Sequence, residues 1–101
     1  MPANDVTLDA RLAARGDLRF TPAGVPALDF QLAHESVQTE GAAERHVTCD
    51  LAGVAIGPLA RDLAAVELGA QVRCRGFLAR RYRTGASVAL HLNAFELMEG
   101  N

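Results

Sequence analysis

At 101 residues the chain is sized for one domain spanning residues 1–101. Its formal net charge of −2 excludes capture of a polyanion by the field of the whole molecule, so such a partner must meet a local basic patch. Half of the residues are hydrophobic but 19 are alanine, which leaves a thin core and points to a closed barrel or to self-association.

Val6, Leu8, Ala10, Leu12 and Ala14 alternate with Thr7, Asp9, Arg11 and Ala13, the period-two pattern of a half-buried first strand. A bridge from Arg15 to Phe20 leads to Thr21-Pro22-Ala23-Gly24, where proline and glycine suit a type I turn, and Pro26 delays the next strand. Leu28, Phe30 and Leu32 alternate with Asp29, Gln31 and Ala33 as a second strand; the polar run Val37 to Glu44 around Gly41 is expected to be a mobile hairpin loop. The third strand, from about Arg45 to Ile56, turns Val47, Cys49 and Leu51 to one side and His46, Thr48 and Asp50 to the other, with Gly53 marking a bulge or bend.

Pro58 to Glu67 has proline near its start, apolar side chains at Leu59, Leu63 and Val66, and Gly69 just past its end, the marks of a short amphipathic helix. A fourth strand from Gln71 to about Arg81 buries Val72, Cys74 and Leu78, and a fifth from Ser87 to Met98 alternates Val88, Leu90 and Leu92 with Ala89, His91 and Asn93. An all-β chain with five strands, and a helix between the third and fourth, has the element order of an OB-fold Greek-key barrel.

Cys49 and Cys74 fit no metal or redox spacing and are expected as small buried hydrophobes, which suits a reducing compartment. The first residues lack the basic and apolar regions of a signal peptide, and no apolar run is long enough to span a bilayer, so the expectation is a cytoplasmic protein with no membrane contact. Phosphate-loop, nucleophile-elbow and zinc-protease motifs are absent, and the carboxylates are scattered over different elements, so the expectation is no enzyme, no cofactor and no metal. His34, His46 and His91 lie on strands, where packing or capping is the ordinary role.

Chemistry concentrates instead between Arg73 and Arg83. Five of the ten basic residues, all of them arginine, fall there with Phe77 and Tyr82 and no acid. Cations for phosphates and a ring for an unstacked base are what a single-stranded nucleic acid site requires, although an arginine-rich strand is equally often a solvated outer face. Alternation places Arg73, Arg75, Phe77 and Arg81 on the outer face, and Arg80, Tyr82 and Arg83 at or in the loop to the fifth strand. Tyr82 is the best stacking candidate, while Gly76 gives Phe77 the freedom to wrap into the core. In OB-folds the binding face is that of strands two and three, framed by the loops between strands one and two and between four and five. The first of these loops holds Arg15, Arg19 and Phe20; the face offers Gln31, His46 and Thr48 among Asp29, Glu35 and Asp50, and no aromatic.

The spaced run Arg19, Thr21-Pro22, Gly24, Pro26, Phe30, Leu32, His34, Ser36-Val37-Gln38 and Glu40 resembles the primosomal replication protein N family (PriB), a short relative of bacterial single-stranded DNA-binding protein (SSB). Cys49, Val72 with Gly76-Phe77, His91 and Glu96-Leu97 are similar too. The chain stops at Asn101 without the long acidic-tipped tail of SSB, so the shorter family is the better match.

The resemblance implies a homodimer of OB-folds that binds single-stranded DNA at replication forks, contacts the primosome helicase (PriA) and a loader protein (DnaT), and has no catalytic activity of its own. It also implies a basic loop between strands four and five, where Arg81 and Arg83 are similar in place and charge. This chain departs in carrying Thr48 and Ala43 where relatives place aromatics, and Ser87 where a basic residue opens the fifth strand. Two functions follow: a DNA-binding accessory that bridges DNA to the helicase and stimulates it, or a protein adapter with weak DNA binding. A tailless SSB-like protein is a further variant.

Overall fold

The computed structural model describes residues 1–82 and 84–99. Its elements follow in the order β1 (Val6–Arg15), β2 (Arg19–Phe20), β3 (Pro26–Glu40), β4 (Ala43–Ile56), α1 (Pro58–Ala64), β5 (Gln71–Arg80) and β6 (Val88–Leu97). The sheet runs β1-β5-β6-β4-β3, and β1 closes it by also pairing with β3. Every pairing is antiparallel except the short β4–β6 contact, where Gly53 and Val54 lie beside Leu90 and His91. This closed five-stranded barrel is the OB-fold expected; the two-residue β2 is an added strip on the edge of β3 within the predicted bridge.

Alternation along each strand fills the barrel. Leu12, Leu28, Leu32, Val72, Cys74 and Leu90 are fully buried, with Phe30 beside them, and burying such an aliphatic side chain contributes about 1.5–3 kcal/mol. The helix plugs one end: Pro58 opens it, Ala60 and Leu63 turn fully inward, and Val66 follows in the turn beyond it. The predicted turn forms, with the Gly24 amide donating to the Thr21 carbonyl at 2.8 Å, but Pro26 does not delay the next strand: β3 starts at Pro26 itself.

Five expectations about the strands are corrected. Val37 to Glu44 is strand on both sides of a tight Gly41-Ala42 turn, because β3 and β4 pair without interruption from Ala27↔Ile56 to Glu40↔Ala43. That hairpin outruns the barrel, and its outer part is exposed on both faces, so polar residues suffice there. Cys49 is exposed for the same reason: Leu32↔Leu51 is the last pair of the series to reach the core, and His34↔Cys49 lies past it. Gly53 marks no bulge, since the register continues through it; a Cβ there would lie 2.3 Å from the Phe30 ring, so the glycine makes room for that ring.

Phe77 is not in the core but 37% exposed. The inward series Val72, Cys74 continues to Gly76, which leaves Phe77 on the outer face. Leu78, expected inside, is equally exposed, because β1 pairs with β5 only as far as Val6↔Gly76.

Candidate nucleic-acid interface

The outer face of β5 carries Arg73 and Arg75, but neither is an unopposed cation. Arg73 donates two hydrogen bonds to the Asp9 carboxylate, at 2.7 and 2.9 Å, and stands 4.0 Å from Glu96; Arg75 is 3.5 Å from the same Glu96. The Arg73 hydrogen bonds hold the Asp9 carboxyl below its ordinary range, and Asp9 in turn raises the guanidinium. Arg19 pairs with Asp29 at 3.3 Å, and Arg45 with Glu40 at 2.9 Å. A phosphate would have to displace a carboxylate at each of these positions.

Arg81 differs. Its amide donates to the Ser87 carbonyl at 2.9 Å and ties the two ends of the loop together. Its guanidinium lies 5.4 Å from the centre of the Tyr82 ring, and among the described residues it has no acid partner. Tyr82 is 62% exposed, a free ring face beside a cation. Arg80 ends β5 on the exposed side, and Arg83 lies outside the described residues.

Beneath the loop is a cleft of about 260 Å³ lined by Arg81, by Arg15 and Gly16 at the end of β1, and by Asp29 and Gln31 on β3. Its walls are fixed. The Gly16 amide donates to the Asp29 carbonyl at 2.9 Å, and the Arg15 guanidinium donates to the Val66 carbonyl beyond α1. Phe20 is held against the helix by Arg61, 5.5 Å from its ring centre. Arg15 and Gln31 stand on the framing loop and strand face that the OB-fold rule marks, and the structure brings both to the cleft.

His46 and Thr48 are exposed, and the register puts them on the same face as Asp29 and Gln31. They are not brought to the cleft. Thr48 stands four residues along β4 from Ala52, the partner of Gln31, about 13 Å away, with Asp50 in between and Glu35 directly opposite Thr48.

His34 has a structural task. Where β3 peels away from β1, its Nδ1 donates to the Asp9 carbonyl at 2.7 Å in place of a ladder bond, and Nε2 meets the Ser36 hydroxyl at 2.8 Å. His91 stacks on Phe77, with ring centres 5.2 Å apart and planes 15° from parallel. Burial pushes the Cys74 thiol up to about 11, so it remains a neutral core side chain. Among the described residues no three of His, Cys, Asp or Glu are grouped to hold a metal ion, and no helix is long and apolar enough to cross a membrane.

The model of "another single-strand binding protein family" matches residues 4–94. The replication restart protein PriB of Bordetella pertussis is 39% identical over 98 residues, 97% of this chain and 92% of that one. The chain belongs to the PriB family of single-strand binding proteins.

Solved structures agree. PriB from Ralstonia solanacearum superposes with a TM-score of 0.89 at 28% identity, over 97% of this chain and all of that one. The single-stranded DNA binding protein of Thermus aquaticus superposes with a TM-score of 0.79 at 28% identity, over 97% of this chain and 51% of that one. Within the PriB family frame, the exposed β3–β4 hairpin and the Arg81 loop are two separate surfaces of one barrel. In this chain the first is acidic or neutral around Thr48, and the second holds Arg81, a cation with no acid partner among the described residues.

Proposed function

We propose that this domain is a non-enzymatic, single-stranded-DNA-binding accessory protein of replication restart, acting in the cytoplasm at stalled forks. The observation that carries this is Arg81, with no acid partner among the described residues, beside an exposed Tyr82, over a cleft framed by both OB-fold loops. Arg80 and Arg83 extend the same basic edge in sequence. The bases stack on Tyr82 while the phosphates follow the arginines. The likeness to a named single-stranded DNA binding protein and to replication restart proteins supports the substrate and the setting. In that setting the domain works as a homodimer that bridges DNA to the PriA helicase, stimulates it, and hands on to DnaT.

The test is fluorescence anisotropy with labelled oligo-dT and matched duplex over a range of salt. Arg81→Ala weakens binding to the single strand and flattens the salt slope by about 0.7, the value for one lost phosphate contact. A wild-type protein that ignores oligo-dT at low salt, or a variant with an unchanged slope, overturns this reading.

The adapter reading is favoured by a second observation. Arg19, Arg45, Arg73 and Arg75 are all matched by acids, and the β3–β4 face is aromatic-free. In that case the Arg81 loop docks on the helicase, and Arg81→Ala loses PriA in a pull-down while binding to oligo-dT is equally feeble in both proteins.

A further inference from the structure

We infer that Phe77 is a second base-stacking platform, one that carries a single strand from the Arg81 cleft across the outer face of β4, β6 and β5; the inference rests on the DNA-binding reading above. Phe77 was expected in the core. It stands instead on the surface with its ring 37% exposed and backed by the His91 imidazole, 5.2 Å away and nearly parallel. A backed ring is held flat against the sheet, so its open face is set for a base at little cost in side-chain freedom.

The register gives the path. Asp29 lines the cleft with Arg81 and pairs with Val54; Val54 lies beside His91, and His91 pairs with Phe77. These four positions form one row across the outer face, about 14 Å long at the usual strand spacing. After the acid at Asp29 the row is apolar and aromatic, with Val54 and His91 half-buried as its floor. Its flanks are cationic. Arg75 precedes Phe77 by two residues on the same face, and its acid contact among the described residues is an exposed 3.5 Å pair with Glu96, weak enough for a phosphate to displace the carboxylate. On the other side Ala79 adds only a methyl before the strand reaches its end and the Arg81 loop. An aromatic ring between two cations, continuous with the basic cleft, fits successive nucleotides of a single strand.

The experiment compares wild type, Phe77→Leu, Phe77→Tyr and Arg81→Ala on oligo-dT and on an abasic oligonucleotide of equal length, which keeps the phosphates and lacks the bases. Phe77→Leu is expected to weaken oligo-dT binding at least about fivefold, the lower end for losing one base stack, with no change on the abasic strand and none in salt slope. Phe77→Tyr, which keeps the ring, binds as wild type, whereas Arg81→Ala loses on both strands. Equal oligo-dT affinity of Phe77→Leu and wild type, alongside a weakened Arg81→Ala, overturns the platform and leaves the DNA-binding reading standing. Failure of the wild type to bind overturns both. A second measurement needs no variant: photocrosslinking of 5-iodouracil strands to the wild-type protein should map to Phe77, and crosslinks at Tyr82 with none at Phe77 count against it.

Discussion

A methyl group at position 76 would lie 2.0 Å from the backbone carbonyl oxygen of His91. Here β5 and β6 come too close for any side chain, and the register on β6 skips Asn93 between the pairs Arg75↔Ala94 and Gly76↔Leu92. Gly76→Ala must therefore move backbone rather than a flexible side chain. It is expected to destabilise by about 1–3 kcal/mol, the range of overpacking substitutions, seen as a lower urea midpoint with an unchanged m-value. The same contact explains Phe77. Alternation alone put it outside, and only an assumed freedom at Gly76 sent it inward; the close approach to His91 fixes that glycine as the inward position. A single sequence shows that a residue is glycine but not which neighbour demands it.

Among the elements, β1 is the hub, pairing with β5 through its first half and with β3 through its second. Asp9 joins these two roles: its carbonyl takes the His34 ring and its carboxylate takes Arg73. Because the Arg73 hydrogen bonds lower the Asp9 pKa from its usual 3.8, the pair stabilises the fold at every pH above that value. The contribution disappears as the pH falls through the lowered folded value, since the acid form no longer distinguishes folded from unfolded chain. Asp9→Asn is thus expected to melt at a lower temperature than wild type at pH 7, and the two melting curves should converge on acidification below about pH 4. Parallel pH profiles would refute the coupling. The elements whose cores are continuous, β1, β5, β6 and α1, were legible from periodicity. The outer half of the β3–β4 hairpin was not, because with both faces in solvent it has no apolar period to display.

For the whole molecule, the first half of β1 leaves a strand edge open. Over Val6–Ala10 β1 pairs with β5 on one side, and among the described residues no strand covers the other side until β3 begins at Arg11. Uncovered ladder groups of this kind invite pairing with a second chain, which agrees with the thin, alanine-rich core and with the proposed homodimer. Sedimentation equilibrium is expected to return twice the chain mass of 10.7 kDa, and Thr7→Pro, which removes a backbone donor on the side of β1 away from β5, should shift it toward the monomer; a monomeric wild type at micromolar concentration would refute the dimer.

The sequence by itself determined the barrel, its plug helix and the basic segment from Arg73 to Arg83, because period-two alternation, proline and glycine positions and local charge are all written along the chain. Only the tertiary structure decided which arginines remain available. Asp9, Asp29 and Glu96 lie on other strands, 64, 10 and more than 20 residues from the cations they oppose. Ion pairing is set by distance in space, so within a run of five arginines in sequence the fold matches Arg73 and Arg75 on β5 to acids and leaves Arg81 with no acid partner among the described residues, with Phe77 turned outward between them.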